Sequence, residues 1–214
     1  MAAPSDDALT FRGTMPPRGT APLLVLACGA LAREIGALVR LNGWGEEVVL
    51  HCLPAILHNR PERIAPTVDA ALDALPHRRA FLAYADCGTG GDLRRLAARR
   101  GIGMLPGAHC YAFFDGVAAF EARGETTAFF VTDFLARQFD AFVTRPLGLD
   151  RHPGLRDAYF GGYDRLVYLA QTDDADLTAS ARRHADALGL AFERRFTGMG
   201  DLAGALEQAV SEGR

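Results

Sequence analysis

Two kinds of stretch alternate along the chain. Short, nearly continuous apolar runs occupy residues 23–27, 47–51, 80–85, 101–105, 165–170 and 190–195. Such runs suit strands buried on both faces. Between them, apolar residues recur at helical spacing. Residues 31–41 place Leu31, Ile35, Leu38 and Val39 on one face, and residues 62–75 do the same with Ile64, Val68, Ala71, Leu72 and Leu75. Residues 93–100, 155–163, 175–188 and 201–210 read as further helices, and 111–123 as helical in part. In 126–142 the spacing of Phe130, Phe134, Leu135 and Phe139 predicts an amphipathic helix, with Asp133 on its solvated side. Asn42-Gly43 and Pro76 supply stops. The alternation predicts an α/β fold: a doubly wound, largely parallel sheet of about six strands flanked by helices, Rossmann-like and three-layered. Residues 22–214 are expected to form one domain after a disordered leader, 1–21, rich in Pro, Ala, Gly and Thr.

In such sheets ligands bind at the carboxyl ends of the strands, near the point where strand order reverses. Cys28, Cys52, Cys87 and Cys110 each follow one of the first four expected strands, so all four fall on that edge. Around Cys87 the chain reads Asp86-Cys87-Gly88-Thr89-Gly90-Gly91-Asp92, with Asp92 as the expected N-cap of the next helix. Gly88, Thr89, Gly90 and Gly91 offer backbone amides that can hold an anionic cofactor at a helix N-terminus. The bland alternative is a tight turn with an incidental thiol. A dinucleotide reading is weaker, because the Gly-x-Gly-x-x-Gly spacing is missing.

Composition narrows the chemistry. All 23 basic residues are Arg, which excludes Schiff-base and P-loop lysines anywhere in the 214 residues. A net charge of −3 and a pI near 6.1 leave no footprint for nucleic acid. No apolar run is long enough to span a bilayer, and the N-terminus lacks the pattern of a signal peptide, so a cytoplasmic location without a membrane partner is expected. Four cysteines in that compartment point to metal or redox chemistry more than to structural disulfides.

Several segments also resemble a known family. They are Ala27-Cys28-Gly29-Ala30-Leu31, Leu53-Pro54-Ala55-Ile56-Leu57-His58-Asn59, Asp86-Cys87-Gly88-Thr89-Gly90-Gly91, Gly107-Ala108-His109-Cys110-Tyr111, Gly148-Leu149-Asp150-Arg151-His152-Pro153 and Tyr168-Leu169-Ala170-Gln171-Thr172. Together they resemble the family called domain of unknown function 1638, over about Pro22 to the C-terminus. The resemblance carries no settled activity. It implies association with corrinoid-dependent methyl transfer and with methylamine or betaine one-carbon metabolism, and a corrinoid protein or methyltransferase as partner. The matching motif cysteines are Cys28, Cys87 and Cys110; Cys52 lies outside the segments.

The resulting expectation is a thiolate-ligated metal site of Cys28, Cys87 and Cys110. Zinc takes a fourth ligand from His109, His58, water or a substrate thiol. A [4Fe–4S] cluster takes three sulfurs, or four with Cys52. The compact Cys-x-x-Cys spacing of a strong zinc signature is absent, and buried structural cysteines are the competing reading. His58 and Asn59 are candidates for a polar group of a small-molecule ligand, and Arg151 for a carboxylate. Tyr111, Phe113, Phe114, Phe120, Phe129, Phe130, Phe134, Phe139 and Phe142 read mainly as core, or in part as an aromatic box for a methylated ammonium. The other function class is a non-catalytic accessory or metabolite-binding protein using the same edge.

Overall fold

The computed structural model describes residues 4–15 and 21–212. Four strands, β1 (Ala21–Cys28), β2 (Val48–Leu53), β3 (His77–Ala83) and β4 (Gly103–Met104), form a sheet in the order β2-β1-β3-β4, all parallel. Three more, β5 (Ala128–Thr132), β6 (Arg165–Ala170) and β7 (Ala191–Phe196), form a second parallel sheet in sequential order. The α/β architecture with parallel strands is as the sequence predicts. Among the described residues the strands number seven, and they divide between two sheets where one of about six was expected. Each sheet has an inner strand whose run is almost wholly buried: Leu23–Cys28 of β1 and Leu166–Ala170 of β6.

The extra strand comes from residues 126–142, which do not form the expected helix. Only α7 (Asp133–Arg137) is α-helical there; β5 precedes it and a π-helical turn, Asp140–Thr144, follows. The run Phe129-Phe130-Val131-Thr132 has β-branched and aromatic residues that favour a pleated strand. Pairing with β6, in register from Ala128 with Arg165 to Thr132 with Leu169, decides the matter. The i,i+4 spacing of Phe130 and Phe134 spans a strand-to-helix junction.

The connecting helices are α2 (Ala32–Leu41), α3 (Ile64–Ala74), α4 (Asp92–Arg100), α5 (Ala112–Asp115), α6 (Val117–Arg123), α8 (Leu155–Phe160), α9 (Ala175–Leu188) and α10 (Asp201–Ser211). α10 follows the second sheet yet packs on the first, burying Leu202, Leu206, Ala209 and Val210 in the same core as β1 and β3. Part of the expected leader is also structured. Ser5 caps α1 (Asp6–Phe11), which buries Leu9 and Thr10. Asp6 ion-pairs with Arg33 of α2 and Arg137 of α7, so α1 straps the two sheets together. Its close approach needs Gly29: a Cβ there would lie 2.3 Å from the Leu9 carbonyl oxygen. The remainder of that leader, residues 1–3 and 16–20, lies outside the described residues.

Candidate metal centre

Strand order in the first sheet reverses at β1. The chain leaves β1 to form β2 on one side, then crosses to form β3 on the other. The crevice of such a sheet opens there, beyond the carboxyl ends of β1 and β3. Cys28 is the last residue of β1, and Cys87 lies just past β3. Segment 107–108 extends the sheet beside it: Gly107 and Ala108 carbonyls accept from the amides of Asp86 and Cys87. Cys110 is thereby carried to Cys87, with 3.0 Å between the sulfurs. The 3₁₀ turn Ala55–Asn59 after β2 brings His58 to the same point. One ligand atom each from His58, Cys87 and Cys110 lie within 4.8 Å of one another, a group that can hold one metal ion.

The tautomer of His58 follows from its neighbours. Its Nδ1 lies 3.1 Å from the Ala55 carbonyl oxygen, which can only accept, so Nδ1 carries the proton and Nε2 is left as the ligand. Cys28 Sγ sits 3.7 Å from the same Nδ1 and accepts the amide of Ala30 at 3.4 Å. Cys28 therefore orients the histidine from behind. Hydrogen bonding from Cys87, and then from His58, outweighs burial and holds the Cys110 thiol well below its ordinary pKa. Burial works against a charged His58 ring, but Cys28 and Cys110 overcome it and push that pKa well above the ordinary value. The Cys87 thiol is pushed up, first by its bond to Cys110 and then by burial. A Cys110 thiolate beside a His58 imidazolium is thus favoured before any ion arrives, and an ion takes the place of the proton on Nε2. The Tyr84 hydroxyl is fully buried and has no hydrogen-bond partner among the described residues; burial first, then the neighbouring cysteines, Cys28 foremost, push its pKa up.

The glycine loop has another use than the expected one. Asp86 turns its carboxylate into the loop and accepts from the Thr89 hydroxyl at 2.9 Å, the Gly91 amide at 2.8 Å and the Gly90 amide at 3.1 Å. These bonds outweigh burial and keep Asp86 below the usual carboxylate range. The amides of Gly90 and Gly91 are therefore already satisfied by a built-in anion. Gly88, Gly90 and Gly91 all take positive φ, as does Cys87 at +50°. A non-glycine residue in that region is strained, and the loop fixes Cys87 there. Gly91, not Asp92, caps α4; Asp92 is its first residue.

The other expected site residues are scattered. His109 is exposed, stacked on Tyr111 with ring centroids 5.0 Å apart, at the edge of the adjoining cavity and not in the ligand group. Asn59 is exposed at the end of its turn, and Arg151 is exposed beside Asp150. Cys52 lies within β2, not after it; burial first, then Cys28 and Glu34, push its thiol pKa up. Asp133, expected on a solvated face, is buried and holds the ends of β5 and β6 together. It accepts from Tyr168 Oη (2.7 Å), Gln171 N (3.0 Å), Thr172 N (3.1 Å) and Thr172 Oγ1 (2.6 Å).

The ligand group opens into a cavity of about 380 Å³ between the two sheets. Ala30, Ala55 and Gly88 line it from the first sheet's loops, and Phe129, Phe130 and Thr132 from β5. A cavity of about 450 Å³ at the amino ends of β1 and β3 lies near none of this chemistry.

The fold and this edge define an α/β protein with a histidine–dithiol group at a sheet switch point. The model of the family of proteins of unknown function DUF1638 matches residues 52–206, well over half of the chain. The chain belongs to that family. The matched stretch contains His58, Cys87 and Cys110 and begins after Cys28. No curated protein and no solved structure matches the chain.

Proposed function

We propose that His58 Nε2, Cys87 Sγ and Cys110 Sγ bind one zinc ion whose fourth position faces the cavity between the two sheets. The observation that carries this is the three-ligand group within 4.8 Å. Three protein ligands with an open position are the mark of catalytic zinc, and one histidine with two cysteines is a donor set that catalytic zinc uses. Two sulfurs on one tetrahedral ion lie about 3.8 Å apart, given Zn–S bonds of about 2.3 Å. The 3.0 Å pair reaches that by parting less than an ångström. In an iron–sulfur cubane each protein sulfur binds a different iron, so a close pair and a histidine argue for a single ion.

Bound there, zinc supplies a Lewis acid beside an apolar chamber. His58 and Cys110 are held close enough to share an ion, and the contact of Cys28 with Nδ1 helps to aim the imidazole. The reading is of an enzyme, or a component of one, acting on a small molecule. Its setting in corrinoid-dependent methyl transfer, with a corrinoid protein or methyltransferase as partner, is proposed on the family resemblance alone. A non-catalytic accessory protein is the alternative role for the same centre. A second chemistry, a metal-free reactive Cys110 thiolate, is favoured by the 3.0 Å Cys87 contact and the depressed Cys110 pKa.

Elemental analysis of protein purified without oxygen tests the proposal. About one zinc per wild-type chain is expected, and Cys87→Ser should lose it while keeping its far-ultraviolet dichroism. A metal-free wild type, or a Cys87→Ser protein with full metal content, overturns the zinc reading and leaves the reactive thiol.

A further inference from the structure

The cavity has a sharply divided lining. At one pole stand His58, Cys87 and Cys110. Elsewhere the walls are mainly aromatic and aliphatic: Tyr111, Phe114, Phe129, Phe130, Phe134 and Phe142 supply rings, His109 at the exposed edge and Thr132 add polar side chains, and among the described residues no Asp, Glu or Arg lines it. The rings are fixed in contact with one another. Tyr111 stacks on Phe130 at 5.4 Å between centroids, Phe120 braces that stack edge-on at 5.6 Å, and Phe134 meets Phe142 edge-to-face at 5.8 Å. Walls made this way are formed before a ligand arrives.

Three consequences limit the ligand. A carboxylate or phosphate placed among the phenylalanines, away from His58 and the His109 edge, would lie without a cation or a ring of donors, at a cost of several kcal/mol. A volume of about 380 Å³ suits a compact body. At the pole, a centre of two thiolates and an imidazole holds a borderline-soft ion, which prefers sulfur to carboxylate oxygen.

We propose that this cavity takes a compact, uncharged thiol with an aromatic or branched apolar body. The body lies between the Tyr111–Phe130 and Phe134–Phe142 pairs, and the sulfur completes the ligand set of His58, Cys87 and Cys110. The sulfur loses its proton to bulk water as the sulfur–metal bond forms, and nothing is oxidised or reduced. Its charge is then neutralised at the ion, where a carboxylate's charge on the far wall would not be. The donor half of this inference rests on the zinc reading; the selection for an apolar, uncharged body does not.

Calorimetric titration of the full chain, with metal content assayed on the same samples, separates the two halves. The probes are benzyl mercaptan, benzyl alcohol, phenylacetate and toluene. In metal-loaded wild type, benzyl mercaptan is expected to bind at least tenfold more tightly than benzyl alcohol or toluene, and phenylacetate not measurably. In Cys87→Ser the mercaptan should fall to the affinity of toluene, while toluene is unchanged. Leu135→Trp, an apolar substitution that fills the chamber from α7, should weaken both by tenfold or more and leave the metal content intact. Phenylacetate binding as well as benzyl mercaptan, or Leu135→Trp without effect, overturns the cavity assignment. Benzyl alcohol matching the mercaptan on loaded protein overturns the thiol. Toluene binding to a wild type that holds no metal would sink the zinc reading while sustaining the cavity's selection for an uncharged body.

Discussion

Replacing Glu34 by Gln should make the protein more stable at neutral pH and remove part of its pH dependence. Glu34 lies on α2 and is only 6% exposed, and its Oε2 has no hydrogen-bond partner among the described residues. Burial raises its pKa from 4.5 to about 7; a backbone hydrogen bond and the charge of Arg137 oppose the rise, and Asp133 adds to it. Between pH 4.5 and 7 the folded chain therefore holds a proton that the unfolded chain has lost. Stability must then fall as pH rises through that window and level off above it. Fully expressed, the rise corresponds to about 3 kcal/mol. Urea unfolding of wild type and Glu34→Gln at pH 4.5 to 8 provides the assay, with midpoints compared at constant slope. The two proteins should be nearly equal at pH 4.5, and the variant should lead increasingly up to pH 7. A difference that stays flat across the series refutes the reasoning, since it would mean that Glu34 ionises normally in the folded chain.

Asp133→Ala strands the buried Tyr168 hydroxyl and Gln171 amide and frees the exposed Thr172, so a loss of about 3–5 kcal/mol in urea unfolding is expected. A loss below about 1 kcal/mol would show that β5 and β6 are not joined through this carboxylate. Tyr84→Phe removes a hydroxyl that is unpaired in metal-free protein, so that protein should be as stable as wild type or more so by about 1 kcal/mol. Destabilisation of the metal-free variant by 2 kcal/mol or more would place a hydrogen bond where none is described.

The parts of the fold that rest on burial of one continuous apolar run were readable from the chain. Residues 165–170 and 175–188 form β6 and α9 with the expected bounds, and β1 holds the expected apolar stretch. β5 was hidden because its phenylalanines continue into α7 at helical spacing, and only pairing with β6 reveals a strand. The division into two sheets was equally invisible, since strand order depends on contacts between distant segments. At the site, neighbours in sequence misled: His109 adjoins Cys110, but the chain turns its ring onto Tyr111. His58 arrives from the loop after β2, and its position on the same sheet edge as the cysteines was the available signal. The Asp86 carboxylate inside the glycine loop follows from short-range hydrogen bonding that turn-forming Asp commonly supplies.

X-ray absorption at the zinc edge of the loaded wild-type protein tests the centre most directly. Two sulfur scatterers at about 2.3 Å with one imidazole nitrogen at about 2.0–2.1 Å and one exchangeable light atom are expected. Four sulfurs would bring in Cys28 and Cys52 and close the site, and a shell of nitrogen and oxygen alone would remove Cys87 and Cys110 from it; either result contradicts an open centre of His58, Cys87 and Cys110.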